Sequence, residues 1–526
     1  MPSPLLLERP GRWSQGAAAV LLLLVALPAA PLLWSALSSL GELGSSDSGV
    51  FVGRAFAVAL LNSAVVALLV AALSLLLGLP AGVCLALYNF PGRRVLFALL
   101  VFPLLVPSFL WAIGWSSLSA HVGPAISGVS GCVIAFTSPA VALSLLASYA
   151  ATQALTASQV DSARIAGGER TVIAQACRHA AIPTLLAASL AGVLTLQDPG
   201  PGQILGLKTA ASEILTSFSA LFDFALAGRQ CAALTLLVLV ITVPLACFSA
   251  PRIAHQILAR QTGKPRPHTH RGVASLAALG IGLMVLISVF LPLLGLTLPT
   301  LRAPEFLRAW QRALERALEE VARTGTDTLV YAAGAAVISV TLSLLLVLSV
   351  GRDPRLRIAV VAACFILFSL PSALSALGIL QIAAEAPAWA DPLLRSPIAV
   401  CGALGLRFFP VATLLSLRAW GSTSSSWTMA AAVHGVSAGK YVWKVILPVL
   451  LPSLVVSALL VSLLATADVG TVLLLHPPGR SSLPLAIFTV MANARESLVA
   501  TLCLLYAAIA VGLLIAAETV LRRKAT

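Results

Sequence analysis

Long uninterrupted apolar stretches recur along this chain, separated by short segments that hold nearly all of its charges. A helix of about 20 such residues covers the hydrocarbon of a bilayer, about 30 Å thick. Twelve stretches of this kind are legible, near residues 17–40, 55–88, 95–119, 129–155, 180–197, 229–250, 273–298, 327–350, 356–381, 396–420, 447–467 and 498–521. No ten-residue alternation of the membrane-barrel type is present. Backbone polar groups in lipid need internal partners, so every stretch is predicted to be a helix and the chain to be an all-α integral membrane protein. The first stretch contains Leu-Pro-Ala-Ala at 27–30, similar to a signal cleavage site. It is too long for an h-region of about 7–15 residues and is read as a retained first span.

The charges set a direction. Arg9 and Arg12, Arg93 and Arg94, Arg164 to Arg178, Arg252 to Arg271, Arg352 to Arg357, Lys440 and Lys444, and Arg522 to Lys524 fall on alternate loops. The positive-inside rule then places these loops and both chain ends in the cytoplasm. One segment resists: Arg302 to Arg323 falls outside by this count yet carries arginines, together with Glu305, Glu315, Glu319 and Glu320. Its leucines and alanines recur at helical spacing, which predicts a mixed-charge amphipathic helix lying on the outer surface.

Composition agrees with this reading. The 526 residues are 59% hydrophobic and 10% charged, against roughly 25% charged in soluble domains, which excludes a water-soluble enzyme. The net charge of +14 is accounted for by basic loops beside anionic lipid and gives no reason to invoke nucleic acid. The eight cysteines (Cys84, Cys132, Cys177, Cys231, Cys247, Cys364, Cys401 and Cys503) lack metal or redox spacing and read as small core hydrophobes.

Corresponding features recur half a chain apart, in preserved order. "FPGRR" followed by "VFPLLVPSFLWAIGW" matches "GRDPRLR" followed by "LFSLPSALSALGIL", pairing Pro107 with Pro371 and Gly114 with Gly378. Pro139 pairs with Pro410, Pro183 with Pro448, "QDPGPG" at Gln197 with "ADVGTV" at Ala467, and Glu213 to Phe218 with Ala486 to Met491. The chain thus divides into a six-span repeat (1–250), a basic, proline-containing cytoplasmic linker (251–272) and a second six-span repeat (273–526). An even number of spans per repeat makes both halves run the same way, with a pseudo-twofold axis along the membrane normal.

Between the fourth and fifth spans of each repeat lies a basic loop with its own helical pattern: Asp161 to Pro183, and Met429 to Pro448. Each has a small-residue helical stretch, a glycine where a helix can stop, a second helical stretch, and a proline at the start of the next span. A single such loop reads as an interfacial connector; two at equivalent places read as a docking device. Small side chains such as Ala163, Ala430 and Ala431 let a partner approach the backbone.

At these residues the chain resembles the permease subunits of bacterial ABC importers. The EAA loop of that family has Glu-Ala-Ala, a glycine three residues on, and an apolar-Pro end. The second copy keeps the family spacing, 13 positions from Gly435 to Pro448, with Met429 in place of the leading Glu. The first keeps an acid, Asp161, followed by Ser162 and Ala163, but has 16 positions from Gly167 to Pro183. Over nearly the whole chain the likeness is closest to the fused, twelve-span permeases of the iron(III) importer group, which share a loop like Thr471 to Asn493 and an "LRFFP" like that at Leu406 to Pro410. Related permeases for thiamine, phosphonates, polyamines and inorganic anions share much of this architecture.

The resemblance implies the type I importer permease fold in the bacterial inner membrane. It implies docking through Asp161, Ala163, Gly167, Gly168, Pro183, Met429, Ala430, Ala431, Gly435 and Pro448, and a solute-binding protein on the outer face. The nearest approach to a phosphate loop, Gly200 to Thr209, has Leu207 between Gly206 and Lys208 and is not a Walker motif. ATP and magnesium therefore belong to a separate ATPase dimer, and this chain is expected to hold no cofactor and no metal.

Few polar groups fall inside the spans. Asp198 and Asp468 occupy equivalent positions at the outer ends of the fifth spans, where they can meet a cationic substrate or cap loop amides. Arg407, inside an apolar stretch, can face an anionic substrate or hold a carboxylate or carbonyls between helices. Asn62 and Ser63 read as interhelical glue. The seven histidines, among them His179, His434, and His255, His268 and His270 of the linker, form no cluster in the membrane. Two other classes compete: a gradient-driven secondary carrier, which the paired loops and the lack of paired deep acids weigh against, and an intramembrane enzyme, for which no Ser/His or His/Asp cluster is present.

Overall fold

A computed structural model describes residue 5, residues 11–32 and 34, and 53–258, 265–302, 305–491 and 493–525. Arg9, the 35–40 end of the first predicted span and the centre of the linker (259–264) lie outside the described residues. Among the described residues there are ten helices long and apolar enough to cross a membrane: Ser14–Leu32, Arg54–Leu87, Gly128–Gln153, Ala157–Thr195, Phe224–Gln256, Arg271–Leu301, Phe306–Val350, Pro397–Gly421, Ala438–Ala467 and Glu496–Leu513. Two bent pairs, Arg93–Leu105 with Ser108–Val122 and Pro354–Ser369 with Ser372–Glu385, bring the number to twelve when each counts as one span. The twelve predicted stretches fall on these elements in order. The chain is a multi-pass, all-helical membrane protein.

The third and ninth spans are not the single helices the apolar pattern predicts. They bend by 103° and 84°, and the cause is local. Pro107 and Pro371 have no N–H to continue a ladder, and each forces the residue before it out of helical geometry. Val106 lies at φ −117°, ψ 137° and Leu370 at φ −69°, ψ 142°, both extended. A fresh helix then starts at Ser108 and at Ser372. Pro80, Pro139, Pro183 and Pro410 sit inside continuous helices, which neighbouring helices in a membrane tolerate.

The same close contacts recur in both halves. Ser74 Oγ and Ser144 Oγ are 3.2 Å apart across the second and fourth spans, and Ser343 Oγ and Ser416 Oγ are 3.2 Å apart across the eighth and tenth. Gly114 lies directly against the carbonyl of Pro292, and Gly378 against that of Pro28. A Cβ at either glycine would enter the backbone of its neighbour, so glycine is what permits the approach. The second contact joins the first span to the bent span of the other half. Leu291–Leu301 likewise packs along Ser108–Val122. Each half thus lends its first span to the other.

Two expectations need correction. The Arg302 to Arg323 segment does not lie across the surface: from Phe306 it is the start of one helix, Phe306–Val350, with Ala313 and Ala317 buried. At 45 residues that helix is about 68 Å long, far longer than a bilayer core, so its charged turns project beyond the apolar layer. Pro183 does not open the fifth span either; it lies inside Ala157–Thr195, while Pro448 falls in the first turn of Leu447–Ala467, directly after a π-helical turn at Val442–Ile446.

Candidate functional site

The breaks in the two bent spans open a cavity of about 190 Å³ between the halves. Its wall includes Ser108, Asp198, Ser372, Arg407 and Asp468. The three candidate path residues, spread over 270 positions of sequence from Asp198 to Asp468, therefore face one space. Phe109 and Phe488 close part of the wall edge to face, with ring centroids 5.7 Å apart.

The charged groups there have defined partners. Asp468 accepts a hydrogen bond from the Thr471 amide at 2.8 Å, capping Val469–Leu475. Its other oxygen forms an ion pair with Arg407 Nε at 2.5 Å, approached off the N–H axis. Arg407 also donates to Gln197 Oε1 at 3.3 Å and to the Leu370 carbonyl at 3.4 Å. Asp198 accepts from the Gly200 amide at 2.9 Å and from the Ser108 hydroxyl. The aspartates thus cap amides and also line the cavity, and Arg407 holds a carboxylate while facing the same space.

Sequence reasoning missed Ser108, Ser372 and Gln197. Gln197 is 5% exposed and donates to the Ser369 carbonyl at 3.0 Å, tying the end of one fifth span to the break of the opposite bent span. The equivalence of Pro107 and Pro371 carried the signal for the serines, since each directly follows its proline. Asn62 and Ser63 do act between helices, on the Lys208 carbonyl at 3.1 Å and the Ala210 amide at 2.9 Å. Among the described residues no group of three His, Cys, Asp or Glu side chains converges.

The loops before the fifth spans are helix–turn–helix units, each turned at its glycine. In the first, the helix breaks at Gly167 and Gly168; Gly168, at φ 68° and ψ −160°, occupies a region essentially closed to other residues. In the second, Ser425–Val433 stops at Gly435 (φ 67°). There the Val436 amide bonds the Ala431 carbonyl at 2.9 Å and the Gly435 amide bonds that of Ala432 at 3.1 Å, a Schellman stop.

The inward and outward faces match. Seven residues before the glycine, Val160 and Thr428 are buried; two before it, Ile165 and Val433 are 89% and 84% exposed. Asp161 and Met429 are also exposed, Asp161 paired with Arg164 at 3.1 Å. Ala430 is exposed, and Ala431 is half-buried against the bundle. Ala163 is a correction: it packs into the protein's own core with Val172 and Ala176, so it is not presented to a partner. The helical period places it opposite Ile165, on the face that seats this helix–turn–helix unit, the first of two such levers, on the bundle.

The first lever is anchored by a residue not singled out from sequence. Glu169 accepts from Tyr88 Oη at 2.6 Å and from Arg164 Nε at 2.7 Å. The linker joins this anchor: the His268 amide donates to the Leu87 carbonyl at 2.8 Å, and the His268 ring is 4.0 Å from Glu169. Beyond the kink, the helix continues without a stop to Thr195, three residues before Asp198. The second lever helix runs from Ala438 to Ala467, next to Asp468.

Comparison of the chain with protein-family models, with curated proteins and with solved structures gave no match.

Proposed function

We propose that this protein is the permease subunit of an ATP-binding-cassette importer of the bacterial cytoplasmic membrane, with both chain ends and both levers in the cytoplasm. The observation that carries the reading is the mechanical continuity just described. The second arm of each glycine-turned lever is one rod with a fifth span, and each rod ends at an aspartate on the central cavity. From Glu169 to Thr195 such a rod is about 40 Å long. An ATPase dimer, holding ATP and magnesium, grips Ile165 and Val433; its closure draws the two rods together and re-aims Asp198 and Asp468, exchanging inward-open for outward-open states. A solute-binding protein delivers cargo to the opposite face. Two carboxylates against one guanidinium favour a small cation, such as the iron(III) of the group the chain resembles.

The docking step is tested by Ile165→Asp with Val433→Asp. The full chain, affinity-purified from its native membrane in mild detergent, is expected to bring down an ATPase; the double variant inserts normally but loses it. Gly435→Val, strained at its positive φ, is expected to leave ATP turnover running with uptake cut at least about tenfold, since a helix stop replaced by a β-branched residue re-aims the lever. Unchanged uptake in that variant sinks the lever assignment.

Asp198 and Asp468 on one cavity also favour, by that single observation, the gradient-driven carrier, because paired acids are what ion coupling uses. The two readings part on energy source. Radiolabelled iron(III) accumulation in cells is expected to stop when ATP is depleted and to persist when the proton gradient alone is collapsed; the reverse pattern establishes the carrier. Asp198→Asn with Asp468→Asn is expected to lower uptake under either reading, and normal uptake would leave the two residues as amide caps only.

A further inference from the structure

A second, larger cavity lies away from the central one, in the crook of the third span. It has a volume of about 1460 Å³ and is walled by Phe97 and Phe102 of the third span, Val289 and Phe290 of the seventh, and Leu504 and Val511 of the last. That exceeds the roughly 300–1,000 Å³ of a small-molecule site. A polar cavity of about 540 Å³ adjoins it and shares Arg93, Arg94 and Val95. Among the described residues lining the two, none is Asp or Glu. Arg93 donates its Nε–H to the Leu85 carbonyl at 2.7 Å and lines both cavities, and Arg94, exposed, lines both beside it.

The other half shows what this face requires. There the equivalent segment, Pro354–Ser369, packs closely against Phe224–Leu258. At the first half's segment the corresponding helix, Glu496–Ala525 of the second half, packs chiefly on Leu291–Leu301 and Phe306–Val350 and supplies Leu504 and Val511 to the crevice wall. The missing cover is apolar along its length and anionic at one end. From Arg94 to Leu105, at the break, the helical rise is about 16 Å, close to one leaflet of a hydrocarbon core about 30 Å thick. Basic pockets between membrane helices at the cytoplasmic surface hold anionic lipid headgroups.

We propose that this crevice binds one anionic glycerophospholipid, its phosphate on Arg93 and Arg94 and its acyl chains along Phe97, Phe102 and Leu504 as far as the break at Pro107. The lipid stands where the other half places a helix, and it braces the bent span that leads to Ser108.

The test is native mass spectrometry of the delipidated full chain titrated with dioleoylphosphatidylglycerol or dioleoylphosphatidylcholine. One phosphatidylglycerol per chain is expected, bound roughly 30-fold more tightly than phosphatidylcholine, the preference two basic side chains give at a membrane surface. Arg93→Gln with Arg94→Gln is expected to abolish the preference. Ala508→Trp, which fills the crevice from the last helix without touching either arginine, is expected to abolish the tight adduct while the monodisperse elution profile is kept. Equal affinity for the two lipids, a preference that survives the double variant, competition by inorganic phosphate alone, or a dimer whose formation excludes lipid would each overturn the proposal.

Discussion

Replacing Arg407 with methionine is expected to destabilise the protein by roughly 3 kcal/mol, the scale seen when one partner of a largely buried ion pair is removed. Asp468 is left with only 6% of its side chain exposed and its Nε partner gone, while the contacts to Gln197 and to the Leu370 carbonyl that cross the halves are lost. Asp468→Asn on the same background is expected to restore most of the loss, because the uncompensated carboxylate disappears while an amide oxygen can still cap Thr471. Thermal unfolding in mild detergent, run as a double-mutant cycle, reads the coupling directly. Additive losses from the two changes would show that the pair is incidental and that Arg407 serves only the cavity.

Gly378→Leu is expected to cost about 3 kcal/mol and to lower the yield of folded protein. A Cβ there would enter the Pro28 carbonyl, and backbone on both sides must move to admit it. Gly114→Leu meets Pro292 in the same way and is expected to behave alike. Gly402→Leu is the control, since nothing lies within 4 Å of its added Cβ. If all three variants unfold together, the loss is one of general helix chemistry and the close crossings carry no special weight.

The helices were legible because an apolar run of about 20 residues has one stable form in lipid. Their breaks were not, because Pro107 and Pro371 look no different in sequence from Pro139 and Pro410, which sit inside continuous helices. What separates them is the neighbourhood: a break is admitted where the freed backbone lines a cavity. The glycines of the levers were legible for a related reason, since only a turn explains them, yet the direction each lever faces required the bundle. Ala163 and Ile165 flank Arg164 in a stretch of mixed polarity, and packing alone decides that one is seated and the other bare. The cavity was legible only as separate residues. Asp198, Arg407 and Asp468 stood out as polar groups in apolar surroundings; Ser108 and Ser372 carry no charge and were marked only by following the paired prolines, and nothing marked Gln197 before folding brought it to the same wall.

The exchange of first spans between halves has a consequence for how the molecule holds together. With Pro28 clasped to Gly378 and Pro292 to Gly114, cohesion resides in two interlocked handshakes inside the membrane. The peptide between residue 258 and residue 265 fixes the ratio of the halves at one to one, and a nick there would leave the pair joined.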